Sequence, residues 1–189
     1  LTFSQHFPSG QLNELSVFGV KDLAENEMDP ATMDFVFYQA NTGDVVINEL
    51  MVDPNPVVAL PDFEYLELYN TSENTIDLNG WMLTIGTSEK VFEGGIIPAK
   101  GYLIVAKETA EPELSSYGLF YGISSFSLTN SGQTIVLSNK EGEVINQITY
   151  TDDWYKDPYK SDGGWSLELK NPDNVCSGEE NWSASNDSK

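Results

Sequence analysis

Positive charge is scarce in this chain. Nine lysine and arginine residues stand against thirty aspartate and glutamate residues, which gives a formal net charge of −21. A nucleic-acid module needs cations to neutralise phosphates, so the sequence predicts no nucleic-acid partner. The same charge balance disfavours attraction to anionic lipid headgroups. We interpret the acidity as typical of a soluble, surface-exposed protein.

Histidine and cysteine each occur once, as His6 and Cys176. One cysteine excludes an internal disulfide and does not fix the compartment of the protein. A Ser/His/Asp or Cys/His arrangement is excluded from the region after the N-terminal segment, because His6 lies outside it. One Cys and one His cannot assemble an ordinary zinc site. We therefore predict a non-enzymatic chain without catalytic or cofactor-binding residues; a hydrolase built on paired carboxylates stays open, because acids abound.

Long apolar runs are also missing. A run such as GYLIV at 101–105 is far too short to span a bilayer, so we predict no membrane insertion of this segment. No phosphate-binding glycine loop of the P-loop or dinucleotide kind is present. Helical periodicity is nearly absent, and only residues 107–117 predict a short turn of helix.

Short runs rich in β-branched and aromatic residues alternate with Gly and Asn turn signals. In WSLEL, for example, Trp165 and Leu167 share one face and Ser166 and Glu168 the other, as expected of a half-buried strand. The predicted strands are residues 15–20, 33–38, 45–51, 64–69, 81–85, 102–105, 134–137, 144–150 and 165–169. This spacing predicts an all-β fold, an antiparallel β-sandwich or barrel.

A domain boundary is predicted in the turn Asn-Thr-Gly-Asp at 41–44. Only two or three strands precede it, which is too few to close a sandwich. We interpret residues 1–43 as a short N-terminal β extension or the remnant of a preceding module, and residues 44–189 as the main domain.

The main domain resembles the bacterial lamin-tail domain. The resemblance rests on ordered segments: VVINELMVDP at 45–54, EYLELYNTSENTIDLNGWMLTIG at 64–86, IIPAKGYLIVA at 96–106, SLTNSGQTIVLSNKEGEVINQITY at 127–150, DGGWSLELKNP at 162–172 and CSGEENWSAS at 176–185. A Gly-Gly-Thr-Pro-Gly ending that often follows in the family is missing here. Residues 1–43 are similar, over LSVFGVKDLAENEMDPATMDFVF at 15–37, to the end of a bacterial Ig-like module.

This resemblance implies an Ig-like antiparallel β-sandwich and an exported bacterial protein, located outside the cell or in its envelope (periplasm or outer surface). We expect a non-catalytic binding, targeting or spacer module of a larger protein, with a protein or a cell-surface glycan as partner. Two alternatives stay open. The chain could be an accessory domain of a secreted hydrolase, or a carbohydrate- or calcium-dependent binding domain.

Acidic residues crowd the loop TDDWYKDPYKSDGG at 151–164. Its aspartates are Asp152, Asp153, Asp157 and Asp162. Calcium prefers several oxygen ligands, so these four are candidate metal ligands and calcium is the one candidate ion. The spacing is not that of an EF-hand, and a solvated loop is the alternative interpretation. Asp53 and Asn55 lie in a second acidic loop.

Aromatic residues cluster in the same loop. Trp154, Tyr155 and Tyr159 are candidate ligand-binding residues, because exposed rings beside polar groups can stack on sugars. The alternative is that these rings seal the edge of the core, as the alternation predicts for Trp165. Glu49, in the strand INEL, and Glu168 lie next to apolar residues, and we interpret both as satisfied or solvent-facing strand side chains. The alternative for Glu49 is partial burial and pairing with Lys170 or a backbone amide.

Overall fold

The computed structural model describes residues 7–186. A boundary between Gln39 and Ala40 separates two compact units. The first unit is a hairpin of two antiparallel strands, β1 (Gln11–Val17) and β2 (Ala31–Phe37). The second unit begins before the predicted boundary at residue 44, because the hydroxyl of Thr42 donates to the carbonyl of Val144 at 2.9 Å.

The second unit contains twelve strands among the described residues. They are β3 (Val45–Met51), β4 (Tyr65–Asn70), β5 (Ile76–Asp77), β6 (Met82–Ile85), β7 (Ser88–Val91), β8 (Ile96–Ile97), β9 (Tyr102–Lys107), β10 (Phe120–Ile123), β11 (Gly132–Ser138), β12 (Val144–Thr151), β13 (Leu167–Leu169) and β14 (Trp182–Ala184). Its helical segments are α1 (Glu111–Leu114), α2 (Pro158–Ser161) and three 3-10 turns at Glu108–Ala110, Asp152–Tyr155 and Val175–Asn181. Between residues 7 and 186 no helix is long and apolar enough to cross a membrane.

These strands form two main sheets. One has six strands in the order β10-β9-β4-β3-β13-β14, and the other has four in the order β12-β11-β6-β7. β5 and β8 form a separate pair, and β10 pairs with β9 in parallel, whereas the other described pairs are antiparallel. Alternate side chains such as Leu66, Leu68, Ile135 and Leu137 are fully buried between the sheets. The predicted all-β, Ig-like sandwich is confirmed.

A β-bulge at Asn48 decides which way the second half of β3 faces. Before it Ile47 lies opposite Leu68, and after it Glu49 lies opposite Glu67, so Asn48 is one residue more than the partner strand supplies. Side chains of a strand alternate between faces, so if Asn48 were paired as a regular strand residue, Glu49 would point into the core. With the bulge, Leu50 is buried instead and Glu49 moves to the outer face.

The glycines of the DGGW segment let two loops approach closely. Gly163 has a φ of +117°, and a Cβ there would lie 1.8 Å from the carbonyl oxygen of Asn55. At Gly164 a Cβ would lie 2.2 Å from the carbonyl oxygen of Pro56, and its N–H donates to the carbonyl of Asp53 at 2.8 Å. Only glycine tolerates both the backbone angle and this proximity. The segment therefore enters β13 in a fixed position.

A small apolar cluster covers part of the outer face of the six-stranded sheet. It contains Met51, Tyr65, Ile104, Ala106, Ala110 and Leu114, with Leu60, Phe63 and Phe120 packed against it. Ala110 and Leu114 come from the turn and helix that follow β9. The expected helical turn within 107–117 is present, and its role is to shield this end of the face.

Candidate functional site

Three glutamates stand in a row across neighbouring strands of the six-stranded sheet. Glu168 on β13 lies opposite Glu49 on β3, which lies opposite Glu67 on β4. Like charges placed directly opposite each other destabilise a sheet. The row therefore lowers the stability of the fold, and such an arrangement is typical of sites rather than of neutral surface.

Neighbouring side chains orient two of these carboxylates. The hydroxyl of Tyr65 donates to Oε1 of Glu49 at 2.6 Å, and Nδ2 of Asn48, the bulged residue, donates to Oε1 of Glu67 at 2.9 Å. Tyr65 and Glu67 are two residues apart on β4 and so share the outer face. The alternative in which Glu49 is partly buried and paired is the one observed, with Tyr65 as the partner instead of Lys170 or a backbone amide.

Burial changes the ionisation of this cluster. Burial is the main cause that raises the pKa of Glu67 to about 7. The negative charges of Glu49 and Glu168 contribute in the same direction, and the hydrogen bond from Asn48 opposes the change. Burial also raises the pKa of Tyr65, and the adjacent Glu49 acts in the same direction. Tyr65 therefore stays protonated and remains a donor to Glu49 throughout the physiological pH range.

The row of glutamates lines an open cavity of about 210 Å³. Its polar wall consists of Glu49, Glu67, Glu168, Tyr65 and Ser166, and its apolar wall of Leu60, Ile104, Leu114 and Tyr117. Because a strand alternates, Ser166 and Glu168 share the same face on either side of the buried Leu167. Residues that are distant in sequence thus meet through strand pairing.

Ser166 has an unusual position in this wall. It is 1% exposed, and its hydroxyl has no hydrogen-bond partner among residues 7–186. Buried hydroxyls are nearly always bonded, because an unmade bond there costs free energy. The acidic cavity thus has in its wall a buried hydroxyl without a partner among the described residues.

The acidic loop around residue 157 is arranged differently from the expectation of a calcium site. Oδ1 of Asp157 caps α2 by accepting from the N–H of Tyr159 at 2.9 Å. Asp152, Asp153 and Asp162 are exposed. Within the described part of the chain, no three Asp, Glu, His or Cys side chains are placed to hold a metal ion. The calcium hypothesis for these four residues stays a prediction that no contact of the described residues supports.

The aromatic side chains of that loop divide into buried and exposed rings. Trp154 and Tyr155 are 7% and 5% exposed, whereas Tyr159 is 71% exposed. The ring of Trp154 packs 5.7 Å from that of Trp182 on β14, and the hydroxyl of Tyr155 donates to the carbonyl of Trp165 at 3.1 Å. Two of the three rings thus seal the sandwich edge and are not available as a sugar-stacking surface.

A second acidic cavity lies beside the loop that contains Asp53. The carboxylates of this cavity already accept hydrogen bonds. Asp53 accepts from the side chain of Asn130, and Asp62 accepts from the side chain of Asn55. Oε2 of Glu64 accepts from the N–H of Leu128 at 3.0 Å. Burial raises the pKa of Glu64. These bonds hold three loops together, which is a structural role.

Comparison with known proteins identifies the family of the chain. The family model of the lamin tail domain matches residues 38–152, more than half of the chain. A search among curated proteins found no match. The matched residues include the strands β3 to β12, and β13 and β14 complete the six-stranded sheet beyond them. On the match and the Ig-like sandwich together, the chain belongs to the lamin tail domain family.

Proposed function

We propose that this chain is a non-catalytic binding module of a larger exported protein, and that it binds a protein partner through the outer face of its six-stranded sheet. The lamin tail domain is an Ig-like domain, and Ig-like sandwiches commonly serve as interaction modules. Fold alone does not assign a function, so the proposal depends on the site.

One observation carries the proposal. The row of Glu49, Glu67 and Glu168 and the unbonded hydroxyl of Ser166 lie together in one cavity on rigid strands. Each of these features lowers the stability of the isolated fold. Sites that retain such costs usually recover them through a ligand or a reaction. Strands also position a binding site more precisely than loops do.

A binding role fits this cavity better than paired-carboxylate hydrolysis. Glu67, whose pKa of about 7 would suit an acid catalyst, already accepts a hydrogen bond from Asn48. The cavity of about 210 Å³ is smaller than the roughly 300–1,000 Å³ of sites that enclose a small-molecule substrate. A single side chain of a partner protein is of a more suitable size.

Hydrolase assays test the non-catalytic part of this proposal. The chain is incubated with chromogenic glycoside, phosphate and ester substrates beside the variants Glu67→Gln and Glu89→Gln, the latter changing an exposed glutamate of β7. We expect no turnover above buffer for any of the three proteins. Turnover by the unmodified chain that Glu67→Gln abolishes and Glu89→Gln preserves would overturn the proposal.

Antibody labelling tests the exported location. Antibodies raised against the chain are applied to intact and to lysed cells of the source organism. We expect labelling of intact cells, or release of the antigen with the periplasm or the medium. Labelling that requires complete lysis and follows a cytoplasmic marker would refute this location.

A further inference from the structure

We propose that the cavity between Glu49, Glu67 and Glu168 receives an ammonium or guanidinium group carried on an aliphatic stem, supplied by a lysine or arginine side chain of a partner protein. This inference rests on the proposed binding function and specifies the chemistry of its ligand. It follows from the acceptors, the unbonded hydroxyl, the apolar wall and the size of the cavity.

The polar wall is rich in acceptors. An ionised carboxylate offers about four lone-pair sites, and the bonds from Tyr65 and Asn48 use one on Glu49 and one on Glu67. Ser166 adds a hydroxyl oxygen with lone pairs. A ligand that satisfies these groups must present several donors, and a positive charge would relieve the repulsion within the row. An anionic ligand is repelled, and a neutral sugar brings no positive charge to the row.

Ser166 favours ligands that enter the cavity far enough to contact its hydroxyl. At 1% exposure the hydroxyl is nearly inaccessible to bulk water, and it lacks a partner within residues 7–186. A multi-donor group such as ammonium or guanidinium could bond this oxygen and a carboxylate together. A hydrogen bond to the Ser166 hydroxyl is favourable because a buried polar group then gains a partner.

The opposite wall suits an aliphatic stem. Leu60, Ile104 and Leu114 offer apolar surface to methylene groups, which lysine and arginine bury while their charged ends lie among polar groups. Tyr117, 56% exposed, offers a ring on which a cation can stack. A bare metal ion would make no use of this wall, and no metal-holding group of acids occurs in the described residues.

The charge of the whole chain supports a cationic partner. A net charge of −21 attracts positively charged surfaces over distance and accelerates their association. Since one side chain in a small cavity gives little affinity alone, the cavity would fix the register of a larger interface, whose rim supplies the remaining affinity.

Titrations followed by amide NMR test this inference on the whole chain. The probes are the capped peptides acetyl-Ala-Lys-Ala-amide and acetyl-Ala-Arg-Ala-amide, with acetyl-Ala-Gln-Ala-amide as the neutral control and sodium chloride at matched ionic strength. We expect saturable shifts at the amides of Glu49, Glu67 and Glu168 with the two cationic peptides only. The double variant Glu49→Gln/Glu168→Gln should weaken binding at least ~10-fold, whereas Glu89→Gln should leave it unchanged.

Ser166→Ala isolates the hydroxyl from the charges. We expect this variant to fold and to bind the cationic peptides ~3- to 10-fold more weakly. Unchanged affinity in Ser166→Ala together with unchanged affinity in the double variant would overturn the site. Absence of saturable shifts with both peptides would overturn it as well, even when the hydrolase assays support a non-catalytic module.

Three further titrations distinguish sources of the cation. Spermidine and butylammonium represent free amines, and calcium chloride represents a metal ion. Saturable shifts with the peptides at an affinity equal to or above that of the free amines support a partner's side chain. Saturable shifts with the free amines and none with the peptides would contradict a protein partner. Saturable shifts of the same amides with calcium, and none with the peptides, would contradict an organic cation as the ligand. Turnover in the hydrolase assays would count against the proposed function alone.

Discussion

The buried charge of Glu67 predicts a pH-dependent gain of stability on its removal. In the fold the pKa of Glu67 rises from 4.5 to about 7, chiefly through burial, and Glu49 and Glu168 add to the effect. Such a rise makes the ionised form about 3 kcal/mol more costly in the fold than in the unfolded chain, at about 1.36 kcal/mol for each pH unit. Since Glu67 retains some solvent contact, we expect about 1–3 kcal/mol.

The sign of the effect follows from which state binds the proton more tightly. Below pH 4.5 both states hold a protonated Glu67, so the variant Glu67→Gln should differ little from the unmodified chain. Between pH 4.5 and about 7 the unfolded chain ionises first, and the unmodified protein loses stability. Above pH 7 the full difference is present. Glutamine keeps an oxygen that can accept from Asn48, so the change removes the charge and retains the bond.

Urea unfolding followed by tryptophan fluorescence measures this difference at pH 4.5, 6 and 8. Glu89→Gln, an exposed glutamate with the same change of charge, is the matched control and should stay within about 0.5 kcal/mol of the unmodified chain at each pH. Glu49, Glu168, Tyr65 and Tyr117 are the titratable groups that line the cavity with Glu67, and Tyr102 also interacts with its charge. A gain by Glu67→Gln that is equal at pH 4.5 and pH 8, or a loss at pH 8, would refute the reasoning.

Three further changes test the fold that builds the cavity. Gly163→Ala should lower the free energy of unfolding in urea titrations by at least ~2 kcal/mol, because the new Cβ would clash with the carbonyl of Asn55. The control is Gly142→Ala, which is also at positive φ but has open space around it and should therefore cost less. Asn70→Ala should lower the free energy of unfolding by ~2–4 kcal/mol in the same assay, because it removes the buried hydrogen bonds to the carbonyls of Asn74, Ile97 and Pro98. A loss as small as that of Asn79→Ala, which changes an exposed asparagine, would contradict this prediction. Deletion of Asn48 should leave a regular β3 in which Glu49 still lies opposite Glu67 and Leu50 opposite Leu66, so circular dichroism should show a cooperative transition. Loss of that transition would show that the fold requires the bulge.

Much of the sandwich could be predicted from alternation. Residues 45–51 form β3 with the predicted bounds, and the segments around residues 66, 103, 135 and 147 are strands within one or two residues of the prediction. The missed strands are β5, β7, β8, β10 and β14, each of four residues or fewer. β7 is a four-residue edge strand with mostly exposed side chains, and β5 and β8 have two residues each. Strands of this kind are fixed by pairing and not by their own hydrophobic pattern.

The cavity could not be predicted in the same way. The acidic and aromatic residues of the loop at 151–164 were predicted as a site because they are adjacent in sequence, yet two of the aromatic rings are buried. Glu49, Glu67 and Glu168 are far apart in sequence and meet through cross-strand register. The sequence INEL did contain a signal for the bulge, because Ile47 and Leu50 cannot both face inward on a regular strand. Ser166 and Glu168 were correctly assigned to a shared face, but their neighbours were not.

The position of β13 has a practical consequence for work with fragments of this protein. A polypeptide that stops at residue 152, where the family match ends, would lack β13 and β14 and with them Ser166 and Glu168. Its strand β3 would become the rim of the sheet, with unpaired backbone groups and an apolar sequence open to pairing with other copies. Such a fragment should self-associate into oligomers and precipitate on concentration, so a soluble domain has to extend at least through Ser185, whose N–H donates to the carbonyl of Ser166 at 2.9 Å.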